Sequence, residues 1–428
     1  MTADLRTEAF DIVITGAGIG ALTLANYLAP LGFRILILDR RPGFDPVHRG
    51  ELVQPLGLSI LEELSLLDDL KKLPHTLYKS FDFLDDEGRL LMRSSYEAVP
   101  GPHPYALAIE PHLMDQLLAK NLSQHSHIVI RHESDFKNFS VDSSGVTATY
   151  ERGGQSRMVL ARILIGDDGR HSRVREIAKI PGTAAPYRDS YLGGSLLLPE
   201  DPSSCPPAIA DTTGRYFLGP RSIFFFFSVS ERRRFFLLLL PNRDREKFFA
   251  GGTGPLLRRL DRQIPGFAEI ATQGGLDDPD RFMELSVWKV DLERWSDDGV
   301  VLMGDAAHAM NPHVAQGRNQ AMEDARVLAP ILSKALLSGP LVRRESLLLY
   351  EKERIPVTRA LHRLADEMTR VWNSGNPFVV RAREAAFRGI GRMPSLERKI
   401  VTTIGGLRIL PLSHWDKFRA LLAGLIPG

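Results

Sequence analysis

The chain has 428 residues, 43% of them hydrophobic and 25% charged, with a formal net charge of +2. That composition is ordinary for a globular protein, its length suggests two or three domain-sized units, and no basic stripe or zinc-finger pattern points to nucleic acid. The single cysteine, Cys205, excludes an intrachain disulfide and a cysteine-pair redox centre, so redox chemistry would fall to a cofactor and a cytoplasmic setting is expected. The N-terminal stretch MTADLRTEAF is polar and lacks the apolar core of a signal peptide. No run reaches the roughly 18 consecutive apolar residues of a spanning helix.

In chain order, FDIVIT (10–15) is a short apolar run ending at Gly16, as in a buried parallel strand. Leu24, Leu28 and Leu31 follow at helical spacing with Gly32 as the stop, and RILILD then closes a second strand at Asp39. This βαβ opening predicts a doubly wound α/β fold. Residues 57–70 predict a helix, 81–92 two short strands about a polar turn, and 112–122 a helix. Residues 127–169 predict a strand, a meander and the buried strand ILIG. SIFFFFSVS and RRRFFLLLLP predict an antiparallel hairpin, with Arg232 to Arg234 as its solvated turn. The run VVLMG (300–304) predicts another buried strand, and helices dominate from Asn319 onward.

Three motifs carry the chemistry. Gly16-Ala17-Gly18-Ile19-Gly20-Ala21 opens a helix directly after a strand and matches G-x-G-x-x-G/A through Gly16, Gly18 and Ala21. The first glycine permits the tight turn, the second lets backbone approach a pyrophosphate, and the small third residue packs helix on strand. Free helix N–H groups then meet the phosphate charge. Asp39 ends the next strand about 20 residues on, where a carboxylate can take a ribose hydroxyl. The second motif is Gly304-Asp305-Ala306-Ala307-His308, followed by Pro312, Gln316-Gly317 and Asn319. The third is Gly166-Asp167-Asp168-Gly169 with Ser172 and Arg175. Each of these two is a buried strand ending in a carboxylate beside glycine, which suits a polyol or ribose, or is simply an acidic turn.

Together the three resemble the FAD-dependent aromatic hydroxylases of the para-hydroxybenzoate hydroxylase type, the class A flavoprotein monooxygenases. The resemblance rests on GAGIGA, GDDGRHSRVR and GDAAHAMNPHVAQGRN, in the family's order and approximate spacing, over residues 10 to 360. It implies an α/β fold with a Rossmann-like FAD-binding domain of the GR2 flavoprotein type, an inserted antiparallel β-sheet substrate domain and a helical C-terminal region. The expected boundaries are 8–75, 106–180 and 285–340 for the first, 76–105 and 181–284 for the second, and 341–428 for the third.

The resemblance further implies that Gly16, Gly18, Ala21, Asp39 and Arg40 hold the ADP half of FAD. Gly304 and Asp305 would hold the ribityl and pyrophosphate region. Pro312, Gly317, Arg318 and Asn319 would lie against the isoalloxazine, and Asp168 and Gly169 would serve FAD and NAD(P)H. Arg49, in a segment whose GELVQP run also resembles squalene monooxygenases, is a further expected FAD contact. Pro312 and His313 are the expected catalytic positions, whereas His308 is expected to make a structural hydrogen bond. No metal ligand is expected.

The implied reaction uses FAD, NADH or NADPH, and O2 to hydroxylate or epoxidise an apolar, aromatic or polyenic small molecule through a flavin C4a-hydroperoxide. A reductase or dehydrogenase of the same fold, or a flavin-holding accessory protein, stays open at this point. Two departures stand out: Asp167 replaces the family's alanine, and Ala315 stands where many members have glycine. The spacing of Trp415, Phe418, Leu421, Leu422 and Leu425 allows an amphipathic helix that could lie on a membrane, cap an apolar tunnel or pack on a partner. A monomer or homodimer is expected, without nucleic acid.

Overall fold

The structure is a computed structural model that describes residues 8–44, 46 and 50–426; Arg49 lies outside the described residues. A six-stranded sheet runs in the order Ser296–Asp297, Val300–Leu302, Ile163–Gly166, Ile12–Thr15, Ile35–Leu38, Ile128–Arg131. All its pairings are parallel except that of Ser296–Asp297. The four inner strands are buried along their whole length. Their unbroken Ile, Leu and Val runs follow from that, because a parallel strand covered on both faces has no polar side to show. The helix Ile19–Leu28 packs on one face and ends through a short 3-10 turn at Gly32, whose φ of 76° is the left-handed stop expected there.

The predicted 57–70 helix is two helices, Pro55–Glu63 and Leu67–Leu70. Ser65 takes φ 59° between them, and the Leu66 N–H donates back to the Leu61 carbonyl. That turn ends a helix even though the leucine spacing continues through it.

A seven-stranded sheet forms the second layer, in the order Met283–Leu285, Ser190–Leu197, Arg233–Leu240, Ser222–Ser228, Gly214–Gly219, Ser80–Asp85, Leu90–Ser95. It is antiparallel except between Gly214–Gly219 and Ser80–Asp85, which run parallel. These two strands come from separate excursions of the chain, so no hairpin constrains their direction. The predicted SIFFFFSVS and RRRFFLLLLP hairpin is present, with Phe225 opposite Leu237 and Phe227 opposite Phe235.

The triplet Arg232 to Arg234 is not a solvated turn. Arg234 is 2% exposed within the strand. It donates from Nε to the Ile209 carbonyl and from Nη2 to the Ala210 carbonyl, each at 2.9 Å. Its guanidinium caps the end of the Pro207–Ala210 helix, a long-range use that local polarity does not reveal.

The C-terminal portion is helical: Leu348–Trp372, Pro377–Gly391, Pro394–Ile404 and His414–Leu425. The buried Arg383 ties it to the sheet, donating to the Trp372 carbonyl at 2.8 Å and the Leu218 carbonyl at 2.7 Å. No described helix is long and apolar enough to cross a membrane.

Candidate active site

Parallel pairing places three loops side by side. Thr15 is in register with Gly166, and Gly166 with Leu302. The loops that follow, at Gly16, Asp167 and Gly304, therefore share one carboxyl edge of the sheet, although up to 288 positions separate them in the chain. Gly16 has φ 90°, and a Cβ there would overlap the Asp167 carbonyl oxygen, so only glycine permits this approach. The helix starting at Ile19 has Gly18 as its N-cap and no side chain of its own capping it. Its N-terminal N–H groups are arranged as in an anion cradle.

The carboxylates divide into scaffold and lining. Asp324 is fully buried; its Oδ2 accepts from the Gly304 N–H at 2.8 Å and lies 2.5 Å from His308 Nε2, and its Oδ1 accepts from Arg354 Nε at 2.7 Å. Asp324 thus holds the Gly304 loop in shape, and His308 is part of that support. Asp168 Oδ2 accepts the Arg173 and Val174 N–H groups, while its Oδ1 is buried without a partner. Arg175 donates to the Ala306 carbonyl at 2.8 Å and the Arg170 carbonyl at 2.9 Å, joining two of the three loops. Asp305 is left facing a cavity.

That cavity has a volume of about 650 Å³. One end is formed by Gly18, Gly20, Asp167 and Asp305; the other is walled by Ile223, Phe225, Phe227, Phe235 and Leu237. Strand alternation makes that wall: Phe225 and Phe227 face it, whereas Phe224 and Phe226 pack into a separate core with Phe236 and Phe267 on the other side of the sheet. Pro312 and His313 line the same cavity.

Tyr191 Oη is 2.9 Å from His313 Nε2, and Asn373 Oδ1 is 3.2 Å from the same nitrogen. Asn373 Nδ2 donates to Asp189 at 2.9 Å, which turns its oxygen toward the imidazole. Nε2 therefore carries the ring proton and Nδ1 is the bare nitrogen. Burial pushes the His313 imidazole down to about 4, against a smaller upward pull from Asn373, so the ring is neutral at neutral pH. Burial likewise pushes the Tyr191 hydroxyl up.

A family model described as an FAD binding domain matches residues 9–365. The chain belongs to this family. Among curated relatives, 6-methylpretetramide 4-monooxygenase of Streptomyces rimosus is 27% identical over 338 residues, 78% of each chain. Protoasukamycin 4-monooxygenase of Streptomyces nodosus subsp. asukaensis is 25% identical, over 84% of this chain and 88% of that one. The crystal structure of p-nitrophenol 4-monooxygenase from Pseudomonas putida DLL-E4 shares the fold, with a TM-score of 0.79 at 20% identity, covering 94% of this chain and 100% of that one. The chain is an FAD-dependent monooxygenase, with the Rossmann-like cofactor domain, inserted sheet and C-terminal helices expected from its sequence.

In this flavoprotein the remaining predicted positions fall as follows. Asp39 accepts the Ala17 N–H at 2.7 Å. Arg40 is exposed; its neighbour Arg41, which sequence reasoning missed, closes on Asp39 at 2.7 Å and donates to the Ala17 carbonyl at 2.9 Å. Arg318 lines the cavity, 2.6 Å from Asp115 and 3.3 Å from Glu51, and Gly317 lies beside it. Asn319 is buried, accepting the Gln54 N–H at 3.0 Å and donating to the Leu52 carbonyl at 3.1 Å. Ala21 and Gly169 flank the Asp167 loop, Gly169 with φ 83°. Arg354, Tyr191 and Asn373 were not singled out from sequence. They carry no local signature, since each acts across 30 or more positions of chain.

Proposed function

We propose that this monooxygenase takes its electrons from NADH or NADPH and oxygenates an apolar, aromatic or polyenic small molecule, by hydroxylation or epoxidation. One observation carries the reading: a single cavity has a dinucleotide cradle at one end and an aromatic wall at the other. The fit to FAD rests on the glycine-only approach at Gly16, the helix N-terminus at Gly18, whose first N–H groups have no cap from the helix's own side chains, and the orphaned Asp168 oxygen.

In this reading Gly16 and Gly18 bind the pyrophosphate, Ala21 lets the helix pack close behind them, and Asp39 binds the adenosine ribose with Arg41 and Arg40 beside it. Gly304 and Asp305 hold the ribityl chain. Pro312, Gly317 and Arg318 flank the isoalloxazine, Asn319 supports them from behind, and Asp168 with Gly169 borders the cofactor. FAD, when bound, supplies the electron transfer between nicotinamide and O2. The chain's own residues bind, orient and exclude water. Ile223, Phe225, Phe227, Phe235 and Leu237 present an apolar surface that a charged substrate would have to desolvate against. Pro312 shapes the wall beside the ring, and His313, neutral with a bare Nδ1, can accept a hydrogen bond from a substrate hydroxyl.

The relatives act on aromatic or polyketide compounds, which agrees with that wall. Stopped-flow reduction of the bound flavin by NAD(P)H should accelerate strongly with neutral polycyclic or prenylated phenols, and the product should carry one atom from labelled O2. Efficient turnover of small anionic benzoates, with no response to the neutral phenols, would overturn the substrate reading.

The exposed Trp415, Phe418, Leu422 and Leu425 of the last helix, near Lys417 and Arg419, support contact of that helix with a membrane surface. Flotation on anionic vesicles, full length against a chain truncated after Leu410, tests it; equal behaviour removes it.

A further inference from the structure

Asp167 is the family's departure at the centre of the cradle. Its Oδ2 accepts the Ala21 N–H at 2.8 Å. This is the third N–H of the glycine-loop helix, so Asp167 supplies from another strand the cap that helix lacks. The same carboxyl oxygens stand 3.2 Å from where a Cβ of Gly18 would be, 3.0 Å from that of Gly20 and 2.5 Å from that of Gly304. Two of the three cofactor loops therefore close directly on this side chain, and it lines the cavity.

The groups facing it are mostly acidic. Asp305 comes from the Gly304 loop, Asp168 from its own loop, and Asp324 from the helix Gly317–Ala335 with His308 hydrogen-bonded to it. Arg318, and Tyr350 on the helix Leu348–Trp372, lie within its electrostatic range. An ionised Asp167 here would add a charge beside Asp305 where a pyrophosphate has to bind.

Resting on the FAD reading above, we propose that Asp167 is a cofactor-contacting residue that works as a neutral acid. Oδ2 takes the Ala21 N–H, and the protonated Oδ1 donates a hydrogen bond to the cofactor's pyrophosphate. Burial, reinforced by Asp305, Asp324 and Asp168, holds the carboxyl well above the usual carboxylate range, in the direction this requires. By this arrangement the chain couples cofactor retention to a proton. FAD affinity is full while Asp167 is protonated, and it falls by up to about tenfold per pH unit once the unliganded protein loses that proton.

The test is the FAD dissociation constant of the apoprotein, read from flavin absorbance and fluorescence from about pH 6 to about pH 9. Asp167→Asn keeps an oxygen for Ala21 and an N–H for phosphate, so it should match wild-type affinity at the acid end and hold it at the alkaline end. Asp167→Ala, the family's residue, should also bind independently of pH, and it serves if the asparagine variant does not fold. His308 and the other carboxylates are unchanged in both variants, so a slope arising from them would persist. A wild-type slope shared by both variants, or no wild-type slope, overturns the proposal while leaving FAD binding intact. A wild type that binds no FAD at any pH overturns the cofactor reading beneath it.

Discussion

At the residue scale, the site depends on a few positions where side-chain size or charge state decides the outcome. Gly18 is one. A Cβ there would lie 3.2 Å from the Asp167 carboxyl, and the branched methyls of valine would fill the space left for a pyrophosphate. Gly18→Val should fold and yet be isolated colourless, with no flavin released on denaturation; a yellow variant would contradict the cradle. Asp305 is another. Loss of a charge-assisted hydrogen bond costs about 1.5–3 kcal/mol, so Asp305→Ala should weaken FAD by roughly ten- to a hundredfold. Asp167→Ala should cost less, because a neutral hydrogen bond contributes about 0.5–1.5 kcal/mol. Titration calorimetry of the two apoproteins compares them, and equal losses would refute the division of roles.

His313 makes a prediction about acid stability. The folded protein keeps this imidazole neutral down to about 4, whereas an unfolded histidine takes up a proton near about pH 6.5. Between those values the unfolded chain holds the extra proton, so stability rises with pH across the window and is lost on acidification. His313→Asn should flatten the urea midpoint over that range. An unchanged slope would show that the ring is already protonated in the folded state.

At the element scale, the strand Ser222–Ser228 separates stability from binding by parity. Phe226 is fully buried in the core behind the sheet, and Phe225 faces the cavity. Phe226→Ala should cost about 3–5 kcal/mol of stability, measured by denaturant unfolding, with little change in affinity for an apolar ligand. Phe225→Ala should show the reverse bias: a smaller stability loss, because one side of the ring already borders open space, and clearly weaker ligand binding. If both variants lose stability and affinity in the same proportion, the two faces are not functionally distinct.

At the scale of the whole molecule, two of the C-terminal helices pack on each other through backbone contact. A Cβ at Gly389 would overlap the Ala420 carbonyl, and one at Gly424 the Ala385 carbonyl, so the helices Pro377–Gly391 and His414–Leu425 meet at glycine and alanine with no side chain between them. Gly389→Val should therefore lift the last helix away. Limited proteolysis should then cut near residues 405–413 faster than in wild type, and Trp372, whose ring centre lies 5.0 Å from that of His313 at a tilt of 50° on the Leu348–Trp372 helix, should keep its fluorescence. Unaltered cleavage would show that the contact can relax around a larger residue.

The local elements of the cofactor site were legible in the sequence because each reports a local requirement. FDIVIT and ILIG are unbroken apolar runs since parallel strands are covered on both faces, Gly16 is glycine since its φ is positive, and Asp39 follows directly on the second strand of the βαβ opening. The run SIFFFFSVS announced a strand of a hairpin, but not which of its phenylalanines face the cavity. Strand order decided the rest. Only the register of Thr15, Gly166 and Leu302 brings three distant loops to one edge, and only that proximity makes Asp167 the cap of a helix begun 148 positions earlier. The same holds for Arg234, polar in sequence and buried because it caps Ile209 and Ala210, and for Arg41, which takes Asp39 where Arg40 was expected beside the cofactor. A sequence carries period, turn chemistry and backbone permission. Which buried polar atom meets which partner is set by packing between segments far apart in the chain, where no local pattern exists to be read.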